Sequence, residues 1–373
     1  MRVGVPKEIK NAERRVGLTP ASVRELAAHG HEVLVERTAG VGIGATDDDY
    51  TAAGATLVAS PAEIFAAADL VVKVKEPQEG ERAMLRPGQL LFTYLHLAPD
   101  PAQTADLVAS DAICIAYETV TDVHGGLPLL APMSQVAGRM SIQAGAHCLE
   151  SAQGGRGVLL GGVPGVAPGK VVVIGGGVVG ENAIQMAVGL DADVTVLDRD
   201  VNVLDRLSRR FGSTLHTQYS TRTALDDHVV HADLVIGAVL VKGSRAPHLV
   251  TAEMVRQMRP GSVLVDVAID QGGCFETSHP TTHDAPTFVV DDVVHYCVAN
   301  MPGAVPHTST HALNNVTLPF VLALADHGAA GALSADPYFL GGLNVCRGAV
   351  TEAAVADALG YPYVPPADAL AAL

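Results

Sequence analysis

Four polar side chains, each near the end of a predicted strand, have the chemistry to bind a carboxylate and to move protons. Arg15 lies in a charged loop after the first predicted strand, and its planar guanidinium matches a carboxylate at two oxygens. Lys75 ends an apolar run and can donate to a carboxylate or keto oxygen. His96 follows another strand, and imidazoles exchange protons near neutral pH. Asp270 follows the apolar run 263–267.

Each of these residues also has a purely structural interpretation. For Arg15, a solvated loop position has about the same weight as a role in binding a carboxylate. For Arg14, the solvated position is preferred. A lysine at the end of a strand usually reaches solvent, and a histidine there can be structural. Most of the 15 histidines must be unrelated to any chemistry.

The stretch 170–180, KVVVIGGGVVG, predicts a dinucleotide-binding turn. A β-branched run precedes Gly175, a helical pattern follows Gly180, and a second apolar run ends in Asp198, which completes a βαβ unit. Gly175 permits the tight turn, Gly177 lets the backbone approach a pyrophosphate, and Gly180 allows close helix–strand packing. The helix N-terminus then presents unpaired N–H groups to the phosphates.

Asp198 is placed to accept hydrogen bonds from ribose hydroxyls and would repel a 2′-phosphate, so NAD is favoured over NADP. The alternative is a glycine-rich turn without a ligand. It is disfavoured because strand, helix, second strand and terminal acid are all present.

The order of predicted elements indicates an α/β protein with two doubly wound, parallel-sheet (Rossmann-like) domains separated by a cleft. A proline-rich crossing segment near residue 128 marks the boundary. We assign 1–128 plus 305–373 to a discontinuous substrate and catalytic domain, and 129–304 to an NAD-binding domain. Ligands are expected outside the carboxyl ends of the strands, where Arg15, Lys75 and His96 fall. Asp270 is expected to face His96 across the cleft.

Several elements are predicted individually. Ser134 should cap a helix reaching about residue 151, Pro319 should allow a kink in a helix over 307–327, and the alanine-rich tail should be helical and pack on the first domain. The predicted strands are 1–6, 31–36, 56–58, 70–75, 89–94, 113–118, 170–174, 193–197, 215–219, 234–240, 262–267, 288–290 and 294–298.

Composition limits the classes of function. The chain has 373 residues, more than usually fold around a single hydrophobic core, so two domains are expected. Hydrophobic residues make up 48% and charged residues only 17%, which leaves apolar surface that a homo-oligomer would bury. A net charge of -16 disfavours nucleic acid and anionic membranes. Five cysteines without a Cys-x-x-Cys pair indicate neither disulfides nor a zinc ribbon. The charged N-terminus is not a signal peptide, and the apolar zone 157–180 holds Lys170 with many glycines, so we expect a cytoplasmic protein without a membrane span.

Further motifs extend over nearly the whole chain, and together they resemble the alanine dehydrogenase family, which shares its fold with the soluble NAD-binding part of proton-pumping transhydrogenase. The motifs are MRVGVPKE at 1–8, RVGLTP at 15–20, VKEP at 74–77, FTYLH at 92–96, APMSQVAGR at 131–139 and DVAIDQGG at 266–273. The resemblance implies reversible oxidative deamination of L-alanine to pyruvate and ammonium with NAD, in a homohexamer. It assigns Arg15 to the substrate carboxylate, with Lys75 beside it, and His96 and Asp270 to proton transfer.

The resemblance also implies a set of NAD contacts that are mostly made by backbone atoms. Beside Gly175, Gly177, Gly180 and Asp198, they are Ser134, Val178, Val179, Ser220, Val239, Leu240, Val267, Ile269, Val298, Asn300 and Met301. This chain departs from its relatives at Val203, where a basic residue is common, and at His279, where an arginine is common.

Some relatives place a divalent cation at positions matching 323 and His327, but Ala323 cannot coordinate, so no metal is predicted. His307 and His311 share a helical face without a third ligand.

Three alternatives to an alanine dehydrogenase stay open. One is a transhydrogenase component that binds NAD but acts on no amino acid. The others are a non-catalytic NAD-binding module and a dehydrogenase for a related small amino acid. A carboxylate clamp and an acid–base pair favour an enzyme over the first two.

Overall fold

The structure is a computed structural model that describes residues 1–239 and 247–372, so Leu240 lies outside the described residues. The chain divides into two compact units, Met1–Pro132 with Val305–Leu373 (unit 1) and Met133–Ala304 (unit 2).

The described strands and helices alternate along most of the chain. The strands are β1 (Arg2–Val5), β2 (Glu32–Glu36), β3 (Thr56–Val58), β4 (Leu70–Val72), β5 (Leu90–Thr93), β6 (Ile113–Ala116), β7 (Lys170–Ile174), β8 (Asp193–Asp198), β9 (Leu215–Tyr219), β10 (Leu234–Gly237), β11 (Val263–Asp266), β12 (Thr287–Val290), β13 (Val293–Tyr296), β14 (Leu343–Cys346) and β15 (Ala349–Val350). The helices are α1 (Pro20–Ala28), α2 (Asp47–Ala52), α3 (Pro61–Ala67), α4 (Glu79–Arg82), α5 (Pro101–Ala109), α6 (Ala131–Cys148), α7 (Val178–Gly189), α8 (Val201–Phe211), α9 (Arg222–Val229), α10 (Ala252–Gln257), α11 (Pro306–Ala335), α12 (Pro337–Leu340), α13 (Ala353–Leu359) and α14 (Pro366–Ala371).

The sheet of unit 1 has eight strands in the order β3-β2-β1-β4-β5-β6-β14-β15. Strands β1 to β6 are parallel, and they are joined by helices because parallel neighbours need crossover connections. The order reverses between β1 and β4, which is where such sheets open a crevice for ligands.

Two strands in the tail correct the prediction that it is helical throughout. Strand β14 pairs antiparallel with β6 and turns back into β15. Their turn places Arg347 and Gly348 at φ of 44° and 79°, the left-handed pair typical of a two-residue hairpin. These strands are only four and two residues long and lie in an alanine-rich segment, so the sequence pattern did not predict them.

The sheet of unit 2 has seven strands in the order β9-β8-β7-β10-β11-β13-β12. The first six are parallel and repeat the strand order of unit 1, and β12 is an antiparallel edge. Both units are therefore doubly wound α/β sheets, which confirms the predicted fold class. Buried aliphatic clusters cover each sheet, around Val71 and Leu91 in unit 1 and around Val235 and Leu264 in unit 2.

Helix α11 is long and apolar enough to cross a membrane, with a mean hydropathy of 1.4 in its best window. It packs on α1, α12, α14 and β4 of unit 1, and buries Leu313, Val321 and Leu324, as the core helix of a folded domain does. Pro319 lies inside α11, and the kink that the structure shows lies further along the helix. The non-helical residue inside α11 is Gly328, at φ 68° and ψ 175°.

The predicted helix cap at Ser134 was also wrong, because α6 begins at Ala131 and Ser134 lies inside its first turn. Thr19 caps α1, since its side chain accepts from the Ser22 N–H, and Pro20 is the first residue of the helix.

Candidate active site

The reversal of strand order in unit 1 brings the loops of two candidate residues together. Arg15 lies in the loop that leaves the carboxyl end of β1, and Lys75 lies just after β4, the neighbouring strand. His96 follows β5, the next strand along the sheet. The predicted strand over 70–75 ends at Val72, so Lys75 belongs to the connection and not to the strand.

Arg15 is buried, with 2% of its surface exposed, which excludes the solvated-loop interpretation. Its Nε and Nη2 donate to the two carboxylate oxygens of Glu13 at 2.7 and 2.6 Å. Burial opposes the charge of Arg15, but the hydrogen bonds and charge of Glu13 outweigh it, and the pKa of Arg15 is raised. The guanidinium is therefore a fixed cation. The role of Glu13 was not predicted from the sequence, although Glu13 lies only two positions before Arg15.

Glu8 connects the loop of Arg15 to that of Lys75. Its buried Oε1 accepts from the backbone N–H groups of Val74 at 2.7 Å and Lys75 at 3.3 Å. The Thr93 hydroxyl donates to the Lys75 carbonyl at 3.0 Å. The backbone of Lys75 is thus held on both sides, while its side chain is partly exposed.

Lys73 is fully buried and has a structural role. Its Nζ donates to Glu8 Oε2 at 3.1 Å and to Glu81 Oε1 at 2.7 Å. Burial opposes the charge of Lys73, but these two carboxylates raise its pKa, so it stays protonated. Removing either partner of such a buried ion pair would destabilise the fold, because the remaining charge would be left unpaired.

His96 has a left-handed backbone, with φ of 50°, which is uncommon outside glycine. Glu118 stabilises this conformation by accepting from the His96 N–H at 2.6 Å and from the Leu95 N–H at 3.1 Å. The ring lies parallel to that of Tyr94, and its Nδ1 is 3.7 Å from Glu118 Oε1. Glu118 therefore holds the backbone of His96 and lies beside its ring. The role of Glu118 was not predicted from the sequence.

In unit 2, Asp270 lies exposed in a 3-10 turn (Ile269–Gln271) after β11. The turn is anchored by the buried carboxylate of Asp266, which accepts from the N–H groups of Cys274 at 2.8 Å and Phe275 at 3.2 Å. A Cβ at Gly273 would meet Asp266 Oδ2 at 2.8 Å, so only glycine fits there. Asp266 was another positioning residue that the sequence did not reveal.

The glycine turn of unit 2 has the geometry of a phosphate-binding turn. Gly175 has a φ of 99°, and a Cβ at Gly180 would stand 1.8 Å from the Gly175 carbonyl oxygen. A Cβ at Gly177 would meet nothing within 4 Å, and α7 begins there without a side-chain cap. The helix N-terminus thus offers backbone donors beside open space, as a pyrophosphate requires.

Asp198 ends β8 next to this turn. Its carboxylate accepts from the Gly176 N–H at 2.6 Å and the Asp200 N–H at 2.8 Å. The carboxylate therefore supports the turn, and carboxylate oxygens have lone pairs for additional donors. A Cβ at Gly176 would meet Val203 Cγ1 at 2.6 Å, so Val203 packs against the turn.

The other predicted cofactor residues lie in six places of unit 2. Val239 contacts the turn, since a Cβ at Gly175 would meet its Cγ2 at 3.1 Å. Helix α6, which carries Ser134, approaches the start of α7 so closely that a Cβ at Gly138 would stand 2.2 Å from the Val179 carbonyl oxygen. Val178 follows Gly177 as the first residue of α7, and Ser220 follows β9. Val267 follows β11, Ile269 begins the turn that holds Asp270, and Val298, Asn300 and Met301 follow β13.

His279, the second departure from the relatives, stacks on Phe288 with ring centroids 3.7 Å apart. The first, Val203, packs against the turn as described above. Both residues therefore contact apolar or backbone atoms of unit 2.

Known families match this chain across both units. Models of the alanine dehydrogenase/PNT N-terminal and C-terminal domains match residues 4–137 and 141–353. A curated alanine dehydrogenase of Halomonas elongata is 61% identical over 98% of each chain. The chain belongs to the alanine dehydrogenase/PNT family. A curated alanine dehydrogenase of Mycobacterium tuberculosis is 55% identical over 100% of each chain.

Solved structures agree with this membership. An L-alanine dehydrogenase superposes with a TM-score of 0.94 at 54% identity, covering 96% of this chain and 99% of that one. A transhydrogenase from Sinorhizobium meliloti superposes with a TM-score of 0.82 at 24% identity, covering 94% and 100%, which shows a common fold alone.

We predict that alanine substitutions separate the two roles of the glycines in this turn. Gly180→Ala should lower the free energy of unfolding by about 1–3 kcal/mol, because its Cβ clashes with backbone. Gly177→Ala should keep the thermal midpoint but weaken NADH binding at least about tenfold, since its Cβ projects into the space for phosphate. Fluorescence titration with NADH and thermal unfolding measure both.

Gly189→Ala, at the other end of α7, is the matched control because its Cβ would meet nothing within 4 Å. It should retain both properties. Wild-type NADH affinity in Gly177→Ala would contradict a phosphate site at this turn.

Proposed function

We propose that this chain is an NAD-dependent L-alanine dehydrogenase, which converts L-alanine and water to pyruvate and ammonium and also catalyses the reverse reductive amination. The observation that carries the proposal is the 61% identity to a curated alanine dehydrogenase over 98% of each chain. The alternative of a transhydrogenase component is weaker, because the likeness to transhydrogenase at 24% identity supports the fold alone.

Arg15 and Lys75 bind the substrate carboxylate in this proposal. Arg15 is buried and keeps its charge beside Glu13, so its guanidinium is preorganised and little side-chain entropy is lost on binding. Lys75, with its backbone held by Glu8 and Thr93, donates to the carboxylate or to the keto oxygen of pyruvate.

His96 and Asp270 transfer protons. NAD, when bound, supplies the acceptor for the hydride that leaves the α-carbon of alanine. Loss of that hydride leaves an imine carbon to which water adds, and ammonium then departs. His96 removes and returns protons at the substrate nitrogen and at the added water, and Glu118 holds the His96 backbone in place. Asp270 acts in the same proton transfers.

For the cofactor, the proposal places the pyrophosphate at Gly175, Gly177 and Gly180 and the adenosine ribose at Asp198. The negative charge of Asp198 selects NAD over NADP. We assign 1–128 with 305–373 to the substrate and catalytic domain and 129–304 to the NAD-binding domain. The protein is proposed to be cytoplasmic, without nucleic-acid or membrane partners.

The decisive experiment is NADH formation, followed by absorbance at alkaline pH, with L-alanine and with other small L-amino acids. L-alanine with NAD should be active, and NADP should support much less turnover. Absence of activity with every amino acid would leave a non-catalytic NAD-binding module or a transhydrogenase component.

We predict that His96→Ala and Asp270→Ala each lower kcat by about 10²–10⁴-fold while NADH still binds, because each removes a proton carrier. Steady-state kinetics and NADH titration measure the two effects. His147→Ala and Asp205→Ala remove exposed groups that form local ion pairs and serve as controls with wild-type kcat. Near-normal deamination in either proton-carrier variant would refute its assignment.

We also propose that the protein is a homohexamer. The hydrophobic share of 48% in a chain of this size favours buried subunit contacts, and the number six is what the resemblance to the alanine dehydrogenase family implies. Light scattering after size exclusion should give about 230 kDa, six times the chain mass of 38.5 kDa. A monomer of 38.5 kDa would overturn the oligomer proposal.

A further inference from the structure

A histidine–aspartate cluster lies in unit 1, formed by His29, His31 and Asp326. Asp326 Oδ1 is 2.8 Å from His31 Nε2, and Asp326 Oδ2 is 3.1 Å from His29 Nδ1. One ligand atom from each residue lies within 4.8 Å of the other two. Tetrahedral zinc, with bonds of about 2.0–2.1 Å, holds its ligand atoms about 3.3 Å apart, so small side-chain shifts would suffice.

Local structure explains why these side chains converge. His29 ends α1, Gly30 turns the chain with a φ of 82°, and His31 directly precedes β2. Asp326 projects from α11, which packs against α1. His31 has only 8% of its side chain exposed, whereas His29 at 44% and Asp326 at 29% leave solvent access.

The charge of the cluster favours a cation. Within residues 1–239 and 247–372, no lysine or arginine forms an ion pair with Asp326. Hydrogen bonds from His31 and His29 lower the pKa of Asp326, so it is an anion at neutral pH. Two imidazoles and one carboxylate are donors that zinc and similar transition metals prefer, whereas magnesium and calcium prefer oxygen ligands.

We propose that His29, His31 and Asp326 bind a divalent transition-metal ion of the zinc type, with water completing the coordination. The ion would link the turn between α1 and β2 to Asp326 in α11. Asp326 is 295 positions further along the chain than His31. This differs from the expectation of no metal, which considered position 323 with His327, the pair His307 and His311, and the cysteines, but not this cluster.

The position of the cluster indicates a structural ion. His31 precedes β2, at the amino end of the parallel sheet, whereas Arg15, Lys75 and His96 follow the carboxyl ends of their strands. An ion at this edge joins the two sequence segments of unit 1 and stabilises the folded chain by binding it in preference to the unfolded chain.

The test uses the tag-free full chain after treatment with EDTA. Equilibrium dialysis against zinc chloride, with metal analysis, should give one tightly bound zinc ion per chain, and thermal unfolding should shift to higher temperature. Magnesium chloride should produce neither effect. His29→Ala and Asp326→Asn should each weaken zinc binding at least about tenfold and remove the thermal shift. His29 is half exposed, so its variant is expected to fold.

The control variant is His307→Ala with His311→Ala, because this pair, with ring centroids 4.7 Å apart, is a competing place for zinc. It should retain the tight ion and the thermal shift. The proposal would be overturned if zinc binding survived in His29→Ala and Asp326→Asn, if it were lost in the control variant, or if no tight zinc bound at all.

Discussion

The buried carboxylate of Glu8 holds together the part of unit 1 on which the candidate substrate site depends. It accepts the backbone N–H groups of Val74 and Lys75 and pairs with Lys73, which Glu81 also contacts. A buried charge is tolerated only when it is paired and hydrogen-bonded. Since Glu8 follows β1 and Lys75 follows β4, this one group joins the two loops that flank the reversal of strand order.

The same device recurs beside each candidate residue. Glu13 clamps the guanidinium of Arg15, Glu118 stabilises the left-handed backbone of His96, Asp266 anchors the turn of Asp270, and Asp198 supports the glycine turn. Charge-assisted hydrogen bonds to backbone donors are stronger than neutral ones and leave little freedom to move. These hydrogen bonds restrict the backbone or the side chain at each candidate residue.

The carboxyl and amino ends of the parallel strands in unit 1 carry different candidate sites. Loops at the carboxyl ends carry the candidate substrate and proton-transfer groups, as expected where the strand order reverses. The amino end carries the cluster of His29, His31 and Asp326, which joins sequence-distant segments. Under these proposals, the groups for catalysis and the groups for metal binding lie at opposite ends of the parallel strands of unit 1.

The sequence alone determined the features that depend on neighbouring residues. These include the glycine turn, the order of strands and helices in the first 300 residues, the family, and the candidates Arg15, Lys75, His96 and Asp270. Only the tertiary structure decided what surrounds them. Glu8 and Glu118 reach partners 66 and 22 positions away, and strand β14 takes its identity from pairing with β6. Glu13 is only two positions from Arg15, but the burial of both side chains is what makes Glu13 the fixed partner of Arg15. Short-range sequence patterns do not encode this desolvation.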